Sequence, residues 1–240
     1  DMEGGIWFSW WLKYAWLHHI SPKFAPMIAF PFGVDYSQIP YSHIGTLFFR
    51  WLLIPTDEII AHNLTLLFSF ILSGLFMYWL AYLVTKSRHA ALFSGIIYAF
   101  CPYHFNKAWE HFGLAQTQWL PLYVFTLLIL KERPIFTNAV FTALAFTLVM
   151  NFDFNYPYIM FIFTIGFIVF ILLYRWRDKL RIMHSELRKS SGRILKMMIV
   201  AMFFTLLINL SVLYPIFKKI FFIPKTGAIA TQGYYVRSFS

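Results

Sequence analysis

The sequence predicts an all-α fold, a polytopic helical bundle in a membrane, and three observations carry that prediction. Apolar residues fill 60% of the 240 positions and charged residues only 12%, about half the charge fraction of an ordinary soluble domain. The apolar residues gather in long runs at 60–84, 90–103, 114–130, 136–150, 156–174 and 195–213, and a membrane crossing needs ~20 such residues. The runs also lack the polar stripe that a surface helix turns to water. The expected organisation is an external loop with interfacial helices at 1–59, a transmembrane bundle of about six spans at 60–214, and an external segment at 215–240. The chain starts at Asp1 without an initiator Met and ends in a polar aromatic stretch. A piece of a longer membrane protein is expected, with one helix before Asp1 and further chain after Ser240.

The net charge is +10, but it sits in loops beside apolar runs, so topology explains it better than nucleic-acid binding. One set of alternate loops, 85–89, 131–135 and 175–194 together with Lys196, holds Lys86, Arg88, Lys131, Arg133, Arg175, Arg177, Lys179, Arg181, Arg188, Lys189, Arg193 and Lys196. That is 12 of the 20 basic residues, and the positive-inside rule makes this side cytoplasmic. The opposite side, with 1–59, 104–113, 151–155 and 214–240, is then external and carries seven of the ten acids: Asp1, Glu3, Asp35, Asp57, Glu58, Glu110 and Asp153. The stretch 175–196 reads as a cytoplasmic linker able to touch anionic headgroups. Cys101 is the sole cysteine, which leaves no internal disulfide and no redox motif.

Along the chain, residues 4–18 read as an amphipathic or interfacial helix. Ile6, Trp7, Trp10, Trp11, Tyr14 and Leu17 crowd it, with Lys13 and His18 interspersed, and Trp and Tyr favour the headgroup level. Ser21-Pro22 stops it, because proline disfavours a helical predecessor. Phe30-Pro31-Phe32-Gly33-Val34-Asp35 is a turn-rich connection, and 41–53 a second short helix or re-entrant piece. Pro55-Thr56-Asp57-Glu58 is a helix start, with Thr56 as cap and the two acids at the positive end of the helix. In the fourth run, Pro121 is expected to free a backbone carbonyl and bend the helix, just after Gln116, Gln118 and Trp119. The 29 phenylalanines are bundle filler or lipid-facing.

Two external regions carry candidate chemistry. Asp1 and Glu3 are either helix-start charges or carboxylates able to remove a proton or hold a cation at the membrane surface; an extended backbone would align them, a helix would not. The second is 101–113, CPYHFNKAWEHFG, with His104, Lys107, Glu110 and His111. His104 and His111 lie seven apart and would share a helix face. A metal cluster is conceivable, but the spacing is not that of a zinc site. Lys107 and the histidines suit a lipid phosphate, with aromatics against sugar or isoprenoid surfaces. The competing reading is interfacial anchoring by Tyr103, Trp109 and Trp119. Asp153, in the third external turn, is either loop solvation or part of the same outward cavity.

The external Asp1-x-Glu3, the interfacial segment 7–14, the turns at Ser21-Pro22 and Phe30-Pro31-Phe32-Gly33, and His111 followed by Leu120-Pro121 resemble the GT-C class of multi-span glycosyltransferases. The likeness is to the prokaryotic proteins related to the YfhO and dolichyl-phosphate-sugar mannosyltransferase groups, over most of residues 1–155. The resemblance implies transfer of a sugar from a polyprenyl-phosphate carrier at the outer face. It implies Asp1 as the principal catalytic carboxylate after a first span, Glu3 as its helper, and Glu110 or His111 as the second external position. Asp1 would take the proton of the acceptor hydroxyl, attack would be direct with inversion, and Lys107, His104 or His111 would offset charge on the leaving phosphate. Two opposed carboxylates, as in glycoside hydrolysis, are not needed. Some relatives use a divalent cation, which leaves magnesium or manganese open here.

Two other functions compete: a transporter or lipid flippase, and a non-catalytic envelope-assembly protein. Transporters place polar groups near the midplane, whereas His62, Asn63, Gln116, Gln118 and Asn209 are few and most polar residues gather at the outer rim. An assembly protein would leave Asp1, Glu3, Glu110 and His111 without a role.

Overall fold

A computed structural model describes residues 2–35, 56–153, 155–180, 185–210 and 213–214, with side chains for 6–34, 56–153, 155–173, 192–210 and 213–214. Eight helices and one small ladder are formed there: α1 Met2–Leu17, β1 Phe24–Ala25, β2 Val34–Asp35, α2 Glu58–Thr85, α3 Arg88–Ala99, α4 Pro102–Glu110, α5 Trp119–Glu132, α6 Phe136–Phe152, α7 Asn155–Leu180 and α8 Ser185–Ile208. The fold is all-α apart from that antiparallel ladder of two residues per strand. Asp1, the expected piece at 41–53 and the segment 215–240 lie outside the described residues.

The chain divides into two compact units, residues 1–65 with 209–240, and residues 66–208. In the first, Trp11, Ala15 and Ala25 form a small core with Trp7, Phe8 and Tyr14 packed on it. The Trp11 indole donates to the Pro22 carbonyl at 3.0 Å, which ties α1 to the chain that follows it. Lys13 pairs with Glu58 at 3.2 Å and donates to the Thr56 carbonyl at 2.9 Å. The cap of α2 is Asp57 rather than Thr56: its carboxylate accepts from the Ile59 amide at 2.8 Å, as the positive end of a helix favours. The helix α1 is not cleanly amphipathic. Trp10, Trp16 and Leu17 stay exposed on the side away from its buried Trp11.

In the second unit α6 is the central helix, packed against α5, α7 and α8. Its buried residues, Ala139, Thr142, Ala143, Ala145, Thr147, Val149 and Asn151, are mostly small, which lets neighbouring backbones approach. Tyr123, Leu127, Leu130, Met160, Ile171, Ile194 and Met198 complete the core. The helices α2 and α3 meet on glycines. A Cβ added to Gly95 would stand 2.7 Å from the Gly74 carbonyl oxygen, and one added to Gly74 would stand 3.4 Å from the Ala99 Cβ. Ala91, Gly95 and Ala99 form the buried stripe of α3.

Several expected runs are rearranged. The run 90–103 is broken, because Pro102 begins α4 at its first helical position, where a missing N–H costs nothing. That leaves α3 with 12 residues, roughly 18 Å at ~1.5 Å per residue, against a hydrocarbon thickness of ~30 Å. The run 114–130 becomes helical only from Trp119. Pro121 therefore falls in the first turn of α5, where its nitrogen would have had no helical partner, and it neither frees an interior carbonyl nor forces a kink. The stretch 175–194, expected as a linker, is helical on both sides of residues 181–184, which lie outside the described residues. The helix α7 continues to Leu180 and α8 starts at Ser185. Two described helices are long and apolar enough to cross a membrane: Glu58–Thr85, and α7 over Asn155–Leu173. The former has 28 residues, roughly 42 Å.

The glycine contact gives a direct test. Gly95→Leu should destabilise the purified protein by about 1–3 kcal/mol, the usual cost of overpacking, whereas Gly166→Leu, where an added Cβ meets nothing within 4 Å, should leave the unfolding temperature in detergent unchanged. Equal effects of the two substitutions would remove the close α2–α3 approach from the packing argument.

Candidate functional site

The region 101–118 lies in the second unit and is built by α4 and the turn before α5. Cys101 is extended at the N-cap and His111 is extended at the C-cap, with φ −139° and ψ 94°. The seven-residue spacing of His104 and His111 therefore does not put them on one helix face: the helix stops at Glu110. His104 is fully buried. Its ring stacks on Phe70 with centroids 3.9 Å apart, its Nδ1 lies 2.8 Å from the Ala99 carbonyl, and its Nε2 lies 3.1 Å from the Ser69 hydroxyl. A carbonyl only accepts, so a neutral ring donates from Nδ1 and takes the Ser69 proton at Nε2. Burial pushes the imidazole below its ordinary 6.5, against the raising effect of the backbone carbonyls of Ala99 and Ala115. His104 thus joins α4 to α2 and α3 and does not present its ring to a phosphate.

Lys107 and Glu110 stand on the surface of α4, paired at 3.2 Å one helical turn apart. Hydrogen bonds from Lys107 first and Asn106 second hold the Glu110 carboxyl below the usual carboxylate range. That pairing weakens it as a proton acceptor, because a base works best with its pKa near the working pH. His111 is half-buried and Trp109 is exposed. Trp119 is half-buried, packed against Phe152 at 5.0 Å, with its indole nitrogen buried. Glu3 lies in the first turn of α1, in the other unit, and Asp1 lies outside the described residues.

The turns that follow α4 and α6 come together. A Cβ on Gly113 would sit 3.0 Å from an Asp153 carboxylate oxygen and 3.3 Å from the Phe152 carbonyl oxygen, so a side chain there would make these neighbours give by a few tenths of an ångström. The Tyr156 hydroxyl donates to the Leu114 carbonyl and lies 3.2 Å from the Tyr103 hydroxyl. Beneath this rim lies a buried polar belt that the sequence did not single out as one site. Ser73 on α2 meets the Thr117 hydroxyl at 2.8 Å, and Tyr98 on α3 donates to the Thr117 carbonyl at 3.0 Å. Gln118 donates to Gln116 at 3.0 Å, and Gln116 donates to the Phe112 carbonyl at 3.3 Å. Gln118 keeps its side-chain carbonyl oxygen buried and unpartnered. The available signal was a QTQ triplet directly before an apolar helix, without any mark of the serine and tyrosine that meet it.

An open apolar cavity of about 650 Å³ lies along α2 and α3, lined among others by Phe70, Gly74, Tyr78, Gly95, Phe100 and Phe105. Among the described residues no three of His, Cys, Asp and Glu gather as a metal site.

The buried imidazole fixes a pH dependence. Below about 6.5 the unfolded ring takes a proton that the buried ring refuses, so the unfolded state binds more protons and stability falls with pH. The loss stops below the folded value and is absent above 6.5. Thermal unfolding across this range should show that acid limb. His104→Phe should remove it and lower stability at neutral pH by about 1–3 kcal/mol, because the Ala99 carbonyl loses its donor.

No protein-family model, curated protein or solved structure matches this chain.

Proposed function

We propose that the chain is part of a multi-pass membrane protein that transfers a sugar, with inversion, from a polyprenyl-phosphate carrier to an acceptor hydroxyl at the outer face of the cell membrane. The observation that carries the membrane reading is the exposure of its most apolar helices. Only 22% of the apolar window of α2 and 17% of that of α7 is buried. A helix in the core of a soluble protein is covered by its neighbours. Here Leu67, Ile71, Ile159, Ile162, Phe170 and Leu173 stand open, and such surface is stable against acyl chains rather than water. Residues 1–59 and 104–113 are assigned to the outside by the distribution of basic residues.

The transfer chemistry rests on the GT-C resemblance. The acceptor oxygen attacks the anomeric carbon, the bond from that carbon to the phosphate oxygen breaks with its electron pair leaving on the phosphate, and Asp1 receives the acceptor proton, with Glu3 beside it. The resemblance assigns Lys107 and His111 to the leaving phosphate, and Glu110 orients Lys107. The apolar cavity along α2 and α3 has the chemistry of a seat for the isoprenoid chain. Transport is the second reading, and the buried Ser73–Thr117–Tyr98 and Gln116–Gln118 groups favour it, because buried polar groups between apolar helices mark substrate paths.

The test is sugar transfer by the full chain in lipid vesicles, from radiolabelled polyprenyl-phosphate sugars. Asp1→Asn should lose about 10²–10⁴-fold in turnover, the usual contribution of a general base, while still inserting. Chelation followed by magnesium or manganese reads any cation requirement. Unchanged turnover in Asp1→Asn would remove Asp1 from the mechanism. Absent transfer together with solute or lipid flux would move the function to transport.

A further inference from the structure

The first unit carries a surface that neither the sugar-transfer chemistry nor the spans use. After α1 the chain makes two turns and a hairpin. Phe24 pairs with Asp35 and Ala25 with Val34, and the loop between them folds back through an Ala29–Phe32 backbone hydrogen bond of 3.0 Å. Ala29 and Gly33 have φ of +51° and +72°, and a Cβ on Gly33 would run into the Phe24 ring. The base of the hairpin is anchored, since Ala25 and Val34 are buried and the Pro22 carbonyl is held by Trp11. What this scaffold holds outward is apolar: Trp16, Leu17, Ile20, Met27, Phe30 and Phe32, with Phe30 at the tip 83% exposed.

Within residues 4–34 the charge has one sign, and the acid nearest the patch along the chain is Asp35, opposite Phe24 at the base of the hairpin. No Asp or Glu occurs between Gly4 and Val34, and the ionisable residues there are Lys13, His18, His19 and Lys23. Lys13 is committed to Glu58. His18, stacked on Tyr14 with centroids 4.0 Å apart, is exposed together with His19 and Lys23. Large apolar side chains held out on a structured hairpin, with aromatic rings and basic groups toward the tip and the acid Asp35 at the base, fit the boundary between headgroups and acyl chains. Charge complementarity selects anionic headgroups.

We infer that residues 16–32 form a lipid-surface anchor that sinks the Phe30 tip of the hairpin into an anionic bilayer leaflet. The anchor rests on the membrane reading of the chain but not on sugar transfer. It fixes the depth of the first unit at the interface through side chains that no membrane-spanning helix supplies.

Nitroxide labels test it, in the full chain with Cys101→Ala and single Phe30→Cys, Lys23→Cys or Ile162→Cys substitutions, reconstituted in nanodiscs with and without phosphatidylglycerol. At position 30, collisions with oxygen should exceed those with a water-soluble nickel chelate several-fold, and phosphatidylglycerol should widen that difference. Position 23 should show the reverse preference. A Met27→Cys label should move toward water when Phe30→Glu is added. A nickel-accessible position 30, or one shielded from both agents as under a protein partner, overturns the anchor. The Ile162 label separates the two readings. Lipid contact at 162 with water at 30 defeats the anchor alone. Water at 162 with lipid at 30 defeats the span of α7 and leaves a surface anchor. Water at both positions defeats both.

Discussion

Where α2 meets α3, and along the buried face of α6, helices of this protein come together on small and hydroxyl-bearing side chains, while many large apolar side chains of α2 and α7 stand outward. Gly74 and Gly95 bring α2 and α3 nearly to backbone contact, and α6 offers Ala139, Thr142, Ala143, Ala145 and Thr147 to its neighbours. In water the hydrophobic effect would reward the opposite arrangement, with the large side chains inside. In hydrocarbon an outward Leu or Phe loses nothing, and close packing with interhelical hydrogen bonds becomes the attraction that remains. On the membrane reading proposed above, this inversion also accounts for how little of the apolar length of α2 and α7 is covered.

The hydroxyls obey the same constraint. Thr65, Ser94, Thr142, Thr164 and Thr205 each donate to a carbonyl four residues earlier on their own helix, so none requires water. Where polar groups exceed what a helix can satisfy internally, they join across helices. The Ser73–Thr117–Tyr98 group links α2 and α3 to the turn before α5, and Tyr123 reaches Thr164 from α5 to α7 at 2.6 Å. His104 belongs to this class. It is a buried bridge whose nitrogens serve Ala99 and Ser69, and its neutrality is a requirement of the packing. The charged members of its segment, Lys107 and Glu110, remain on the surface.

Much of the fold was legible because composition and run length report on solvent directly. Five of the six apolar runs became helices near their expected places, and the run at 60–84 matches α2 closely. The failures share a cause. The breaks at Pro102 and Trp119, and the long helical extensions around 175–194, depend on local backbone geometry and not on hydropathy, which runs through all of them unbroken or changes for reasons of charge alone. The candidate site was less legible. Glu110 and Lys107 were visible as a polar concentration, but their mutual pairing and the burial of His104 were not, since a one-dimensional pattern does not tell an interfacial histidine from one stacked on a phenylalanine 34 positions away.

By itself the sequence determined that this chain is helical and strongly apolar, with basic residues concentrated in alternate connections and an aromatic N-terminal helix free of acids beyond its first turn. Those properties are sums over residue types, and transfer free energies are close to additive. Only the tertiary structure decided that Gly95 and not its neighbours sets the approach of α3, that Asp57 rather than Thr56 caps α2, that Gly113 lies against Asp153, and that Gln116, Thr117 and Gln118 turn inward. Each of these is a contact between segments, fixed by the steric fit of particular atoms within a few tenths of an ångström in a close-packed interior. No residue carries that fit in its own identity.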